Sequence, residues 1–190
     1  TTVLLGAARV LKRLSDECAL PNPVTFVFQP AEEGGGGGEK MCAEGCLDGS
    51  VVGPPARAMF GLHGWPSLPL GVVSSKPGPM LAAADHFTIT ITGIGGHAAM
   101  PHTTIDPIAA SAAIIQSLQH VVARRVDPVM GGVISVTSIH SGTTFNIIPT
   151  KTVLQGTLRA LFSEAQEILK AGLFELVEGV ATAHGCTAEI

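Results

Sequence analysis

Apolar residues recur along this chain with two different periods, and the change of period divides it. Near the start, Val3, Leu4, Ala7, Leu11 and Leu14 fall at helical spacing, which predicts an amphipathic helix. Pro21-Asn22-Pro23 ends it. Two short runs, VTFVF at 24–28 and AMFGL at 58–62, are rich in β-formers and lack polar alternation. That pattern predicts strands buried on both faces, with a short helix over 40–47 between them. The segment 67–79 carries three prolines and two glycines and predicts a crossing between domains.

From residue 80 the texture changes. Over 86–92, Phe87, Ile89 and Ile91 alternate with His86, Thr88, Thr90 and Thr92, as in a half-buried strand. Asp106-Pro107 reads as an N-cap with proline at the first helical position, and Ile108, Ala112, Ile115, Leu118 and Val122 form the stripe behind it. Strands are predicted over 133–139 and 152–159. Ser163-x-x-Gln166 reads as a capping box for a helix with the stripe Leu169, Leu173, Leu176, Val177, Val180, closed by Gly185. A last strand starts at Cys186. The order β-α-β-β-α-β is that of the split-βαβ, ferredoxin-like arrangement.

Composition narrows the function classes. Hydrophobic residues make up 46% of the 190 and charged residues 14%, enough apolar content for a packed core. Eleven Lys+Arg against fifteen Asp+Glu give a net charge of −4, which argues against a nucleic-acid partner. No apolar run reaches the roughly 18 residues of a membrane span, and no signal peptide is visible, so a cytoplasmic location without membrane partners is expected. Cys18, Cys42, Cys46 and Cys186 do not form a disulfide framework by number or spacing. The Cys42-x3-Cys46 pair could place two thiols on one helix face, and without further ligands nearby it reads as two small core residues. The chain starts with a helix at Thr1 and stops at a strand, as an internal piece of a longer protein would.

Several segments carry candidate chemistry. Glu32-Glu33 follows a predicted parallel strand, where open α/β sheets place their ligands, and precedes five glycines, Gly34 to Gly38. The pair reads equally as one metal-binding and one proton-accepting carboxylate or as an acidic surface turn. No G-x-x-x-x-G-K-[ST] is present, so the glycine run is not a phosphate loop. His63 ends the other predicted strand, and a lone histidine there reads first as structural. In Gly93-Ile94-Gly95-Gly96-His97-Ala98-Ala99-Met100-Pro101-His102, the glycines allow positive φ and close approach to a ligand. The bland alternative is a glycine turn with solvent histidines. Asn146 in a β-β connection and Arg159 at a strand end suit carboxylate recognition if they lie close, because Arg offers a bidentate fork. By spacing alone they read as a hairpin cap and an exposed arginine.

Taken together, TTVLLGAARVLKRL at 1–14, FQPAEEGG at 28–35, FGLHGWP at 60–66, GIGGHAAMPH at 93–102, NIIP at 146–149 and GTLR at 156–159 resemble the M20 metallopeptidase family. The match is closer to its amidohydrolase branch of aminoacylase-, hippurate hydrolase- and auxin-conjugate hydrolase-like enzymes. The resemblance implies an α/β fold: a partial metallopeptidase catalytic domain over 1–78 and a ferredoxin-like lid and dimerisation domain over 79–190. It implies hydrolysis of the amide bond of N-acyl amino acids or small peptides by a homodimer with two divalent metal ions, zinc or manganese. Residue by residue, Glu32 matches the general base, and Glu33 and His63 match metal ligands. His97 matches the lid histidine that stabilises the oxyanion in a neighbouring subunit, and Asn146 and Arg159 match substrate-binding residues. The branch's Cys-Gly-His-Asp-Gly-His stretch, which precedes the helix opening at Thr1, and its last histidine ligand are not in this sequence. The alternative to the enzyme is therefore a chain that serves only as a lid and dimerisation module without turnover, with an ordered lid and little metal.

Overall fold

The apolar stripe at the N-terminus forms α1, Thr2–Glu17, in the computed structural model, which describes all residues from Thr1 to Ile190. No residue of α1 is buried. Lys12 pairs with Asp16 and Arg13 with Glu17 one turn apart on its polar side, and exposed pairs of this kind add little stability. After an irregular stretch comes α2, Gly37–Ala43, three residues earlier than the predicted helix.

Neither predicted strand of the first half forms. Residues 24–28 and 58–62 have no regular structure; Phe28 is 47% and Phe60 96% exposed. The physical reason is the kind of strand involved: an apolar run without alternation needs ladder partners on both edges and cover on both faces. Thr1–Leu70, one of the two compact units into which the chain divides, contains only α1 and α2 as regular elements. The α/β sheet expected over 1–78 is thus absent from this unit.

Gly71–Ile190 is the second unit. It contains β1 (Ala83–Thr92), β2 (Gly96–His97), α3 (Pro107–Arg124), β3 (Gly132–Ser141), β4 (Ile147–Ile148), β5 (Lys151–Ala160), α4 (Ser163–Ala183) and β6 (Thr187–Glu189). The long strands and β6 form a sheet in the order β3-β5-β1-β6, each pair antiparallel. β2 and β4 form a separate two-residue ribbon. The strict alternation of β1 is realised: Phe87, Ile89 and Ile91 are buried, whereas His86, Thr88 and Thr92 are exposed. The buried side meets Leu154 and Leu158 of β5, Ile114, Leu118 and Val121 of α3, and Leu169, Leu173 and Val177 of α4 in one core. Each such side chain contributes roughly 1.5–3 kcal/mol by leaving water. No helix is long and apolar enough to cross a membrane.

Helix ends follow the sequence in part. The Asp106 carboxylate accepts from the N–H groups of Ile108 and Ala109, with Pro107 opening α3. The stripe of α3 is turned by one residue from the predicted one: Ala110, Ile114, Leu118 and Val121 are buried, and Ile108 is 43% exposed. The capping box of α4 does not form. Ser163 lies inside the helix, Phe162 takes the N-cap position without a side-chain bond, and the Gln166 amide reaches Asp85 on β1 instead. Gly185 closes α4 at φ 74° as expected.

Asp85 points to the helix side of the sheet, where it accepts from Lys170 Nζ at 2.8 Å and Gln166 Nε2 at 2.5 Å. The hydrogen bonds from Lys170 and then Gln166 hold its carboxyl below the usual carboxylate range. A folded-state value below the unfolded one stabilises the fold above the ordinary carboxylate titration, near pH 4, and that stabilisation is lost as pH falls through the depressed value. The Asp85→Asn variant should therefore show a flatter loss of stability below about pH 4 than the parent. Acid titration followed by circular dichroism tests this, and equal slopes for the two proteins would remove Asp85 from the acid response.

Gly156 sits where β5 passes over Phe87. A Cβ there would lie 2.2 Å from Phe87 Cζ and 2.3 Å from the Ser135 carbonyl oxygen. The backbone oxygen cannot rotate away, so Gly156→Ala should destabilise the second unit by about 1–3 kcal/mol. Chemical denaturation would measure it, and an unchanged midpoint would show that β3 and β5 separate freely.

Candidate active site

The segment around the carboxylate pair is a loop pinned at its base. Gly37 of α2 lies against Pro30 so closely that a Cβ would stand 1.8 Å from the Pro30 carbonyl oxygen. Between these contact points the chain turns through Ala31, the one non-glycine residue with positive φ, at 51°, and through Gly35 and Gly36 at 84° and 65°. A positive φ at alanine is sterically costly and marks stored strain directly before Glu32. Glu32 and Glu33 project from this loop, exposed and without an ion-pair partner. The glycine run thus closes and presents the carboxylates.

His63 lies in an irregular stretch and is exposed. Its Nδ1 is 2.8 Å from the Gly64 carbonyl oxygen, and its ring stands edge-on to Trp65 at 6.0 Å. A carbonyl only accepts, so Nδ1 carries the proton and the Nε2 lone pair is free, as a metal ligand requires. The structure gathers no group of three or more His, Cys, Asp or Glu side chains that could hold a metal ion. The donor types of Glu33 and His63 fit a divalent metal, but two are fewer than the three protein ligands usual at a catalytic zinc.

In the second unit, His97 belongs to the β2–β4 ribbon, paired with Ile147. The next amide, Ala98 N–H, donates to the Asn146 carbonyl oxygen at 3.0 Å, so the ribbon brings His97 and Asn146 together. The Ala99 N–H donates to His97 Nδ1 at 3.0 Å. With Nδ1 occupied as an acceptor, the neutral ring carries its proton on Nε2 and presents an N–H outward. Thr144 Oγ1 donates to Asn146 Oδ1 at 3.0 Å, which leaves the Asn146 amide hydrogens free to donate. Gly95, Gly96, Thr143, Thr144 and Lys151 help line a shallow cavity of about 400 Å³ beside this ribbon. The glycines at 93, 95 and 96 do not adopt the positive φ anticipated for them. They are needed for close packing instead: a Cβ on Gly93 would meet the Ile105 carbonyl oxygen at 2.2 Å.

Arg159 is not beside Asn146. It lies near the far end of β5, exposed and opposite Ala84 and Val133. Asn146 precedes the near end, so the strand separates the two by about 25 Å at a rise of about 3.3 Å per residue. An amide–guanidinium clamp within one chain is excluded by the length of the strand.

Residues 1–154 match Peptidase family M20/M25/M40. The chain belongs to this family. It is 43% identical over 190 residues to the IAA-amino acid hydrolase ILR1-like 4 of Arabidopsis thaliana, covering 100% of this chain and 41% of that protein. It is 39% identical over 189 residues to an N-acetylcysteine deacetylase of Bacillus subtilis, covering 100% of this chain and 48% of the relative. Among solved structures it resembles the YxeP protein of Bacillus subtilis, a dinuclear metal binding peptidase from the M20 family, with a TM-score of 0.73 and 34% identity. That likeness covers 98% of this chain and 44% of the solved one. This M20 chain therefore spans less than half the length of these relatives.

Two features of this candidate site were not readable from residue types. The Ala99 amide that fixes the His97 tautomer is a backbone group, invisible in sequence. Thr144, which orients the Asn146 amide, was signalled only by the turn-forming cluster Gly142-Thr143-Thr144 ahead of it.

Proposed function

We propose that this chain carries part of the active site of a metal-dependent hydrolase that cleaves the amide bond of N-acyl amino acids or small peptides. The carrying observation is the pair of backbone-fixed imidazoles: His63 offers a lone pair at Nε2, whereas His97 offers an N–H there. One suits a metal and the other a developing oxyanion. Glu33 and His63 would hold metal, zinc or manganese, and the metal pair would supply Lewis-acid polarisation of the amide carbonyl. Glu32 accepts the proton of the attacking water and returns it to the leaving nitrogen. His97 Nε2–H donates to the tetrahedral oxyanion. Asn146 donates its free amide hydrogens to a substrate oxygen in one site, and Arg159, about 25 Å away along β5, would bind the carboxylate of a substrate in the other site of the dimer.

In this reading residues 1–78 serve the metal and residues 79–190 form a ferredoxin-like lid that also pairs two subunits. The β-α-β-β-α-β order and the strand order β3-β5-β1-β6 support the lid assignment. The relatives named for IAA-amino acid and N-acetylcysteine substrates support the substrate class. The alternative, a lid and dimerisation module without turnover, draws on the second unit, whose elements close a core of their own. Hydrolysis of a panel of N-acyl amino acids, measured with zinc, with manganese and after chelation, tests the proposal. Turnover that is unaffected by chelation, or none in the full-length protein with either metal, would overturn it.

A further inference from the structure

α2 ends in a turn that folds the chain back over its own last residues. Gly45, at φ 86°, directs its N–H to the Cys42 carbonyl oxygen at 3.0 Å, and the Cys46 N–H reaches the Met41 carbonyl oxygen at 3.1 Å. This is the paired 5→2 and 6→1 bonding of a Schellman motif. A side chain at position 45 would stand 1.8 Å from Ser50 Oγ and displace that hydroxyl, and the positive φ itself favours glycine there. The motif returns Cys46 over the last turn of α2, which carries Cys42. Neither is the core residue its sequence context suggested: Cys42 is exposed and Cys46 half-buried.

We propose that Cys42 and Cys46 form a redox-active dithiol that closes to an intramolecular disulfide on exchange with a small disulfide such as oxidised glutathione. The exposed Cys42 thiolate attacks one sulfur of the oxidant and expels one glutathione thiolate. Cys46, after giving up its proton to solvent, attacks Cys42 Sγ and expels the second. The protein loses two electrons and two protons, and oxidised glutathione becomes two reduced molecules. Desolvation and the neighbouring Cys42 raise the Cys46 thiol above its usual range, which suits the resolving rather than the attacking role. Cys18 and Cys186 take no part; Cys186 is buried.

The place of the pair gives the modification a consequence. α2 rests through Gly37 on Pro30, at the base of the loop carrying Glu32 and Glu33. A cross-link over the last turn of α2 would stiffen the support of that loop.

Thiol mapping by alkylation and mass spectrometry, on the purified protein in glutathione redox buffers, tests the proposal. The expected result is one peptide that loses two hydrogens and both alkylation sites at 42 and 46 together, without a glutathione adduct. Cys46→Ser should trap glutathione on Cys42. The closure equilibrium should be more favourable in the folded protein than in guanidinium by roughly tenfold or more, since the turn holds the thiols in reach. Stable glutathione adducts on both cysteines of the parent, pairing of either with Cys18, or equal closure in the folded and unfolded chains would each overturn it.

Discussion

Replacing Glu32 by glutamine in the full-length protein should leave its metal content intact and lower amide hydrolysis by about 10²–10⁴-fold, the usual worth of a positioned general base. The amide keeps the size and the exposed position of the carboxylate but cannot accept a proton from water. The pinned loop makes the substitution clean, because Glu32 has no ion-pair partner whose loss would confuse the result. Glu33→Gln should instead reduce metal content, with activity falling in proportion to it. Elemental analysis beside a hydrolysis assay separates the two roles. Equal loss of metal in both variants would end the division of labour between adjacent carboxylates.

The second large effect concerns His97. His97→Ala should cost about 10²–10³ in kcat, the range for loss of one oxyanion donor. The fixed tautomer adds a finer expectation. His97→Gln places an amide N–H₂ near the position of Nε2 and should restore part of the rate. His97→Asn ends near the position of Nδ1 and should restore none. If the residue serves a neighbouring subunit, heterodimers of a His97→Ala chain and a Glu32→Gln chain should regain activity that neither has alone. Proven heterodimers without recovery would place the action of His97 within its own subunit or nowhere.

The second unit was largely legible in the sequence because its order is local and periodic. His86 to Thr92 alternate, and the structure buries the apolar members one by one. Asp106-Pro107 encodes a helix start within two residues, and its carboxylate bonds are made. Where sequence reading failed, the deciding partner lay far away in the chain. Gln166 has the right spacing from Ser163 to cap a helix, yet Asp85 offers a charged acceptor and wins. The runs at 24–28 and 58–62 have strand composition, but a strand needs neighbours, and the first unit supplies none. For the candidate site, the resemblance singles out His97 and Asn146, and their meeting depends on the β2–β4 ribbon. Arg159 was grouped with Asn146 by chemistry, whereas the length of β5 keeps them apart.

The register of β1 has a consequence for how the protein is made. β1 comes first in the second unit, yet it pairs only with β5 and β6, which come last. On the ribosome it must wait, an apolar-faced strand without a ladder, while the intervening residues emerge. The β3–β5 pairing spans the shortest stretch of chain and can form first. Closure of the sheet around β1 is then a late, long-range event, the kind that slows folding and exposes a strand to wrong partners. The threonines on its open face keep the waiting segment from being apolar on both sides, so the alternation that builds the sheet also guards the nascent chain before the sheet exists.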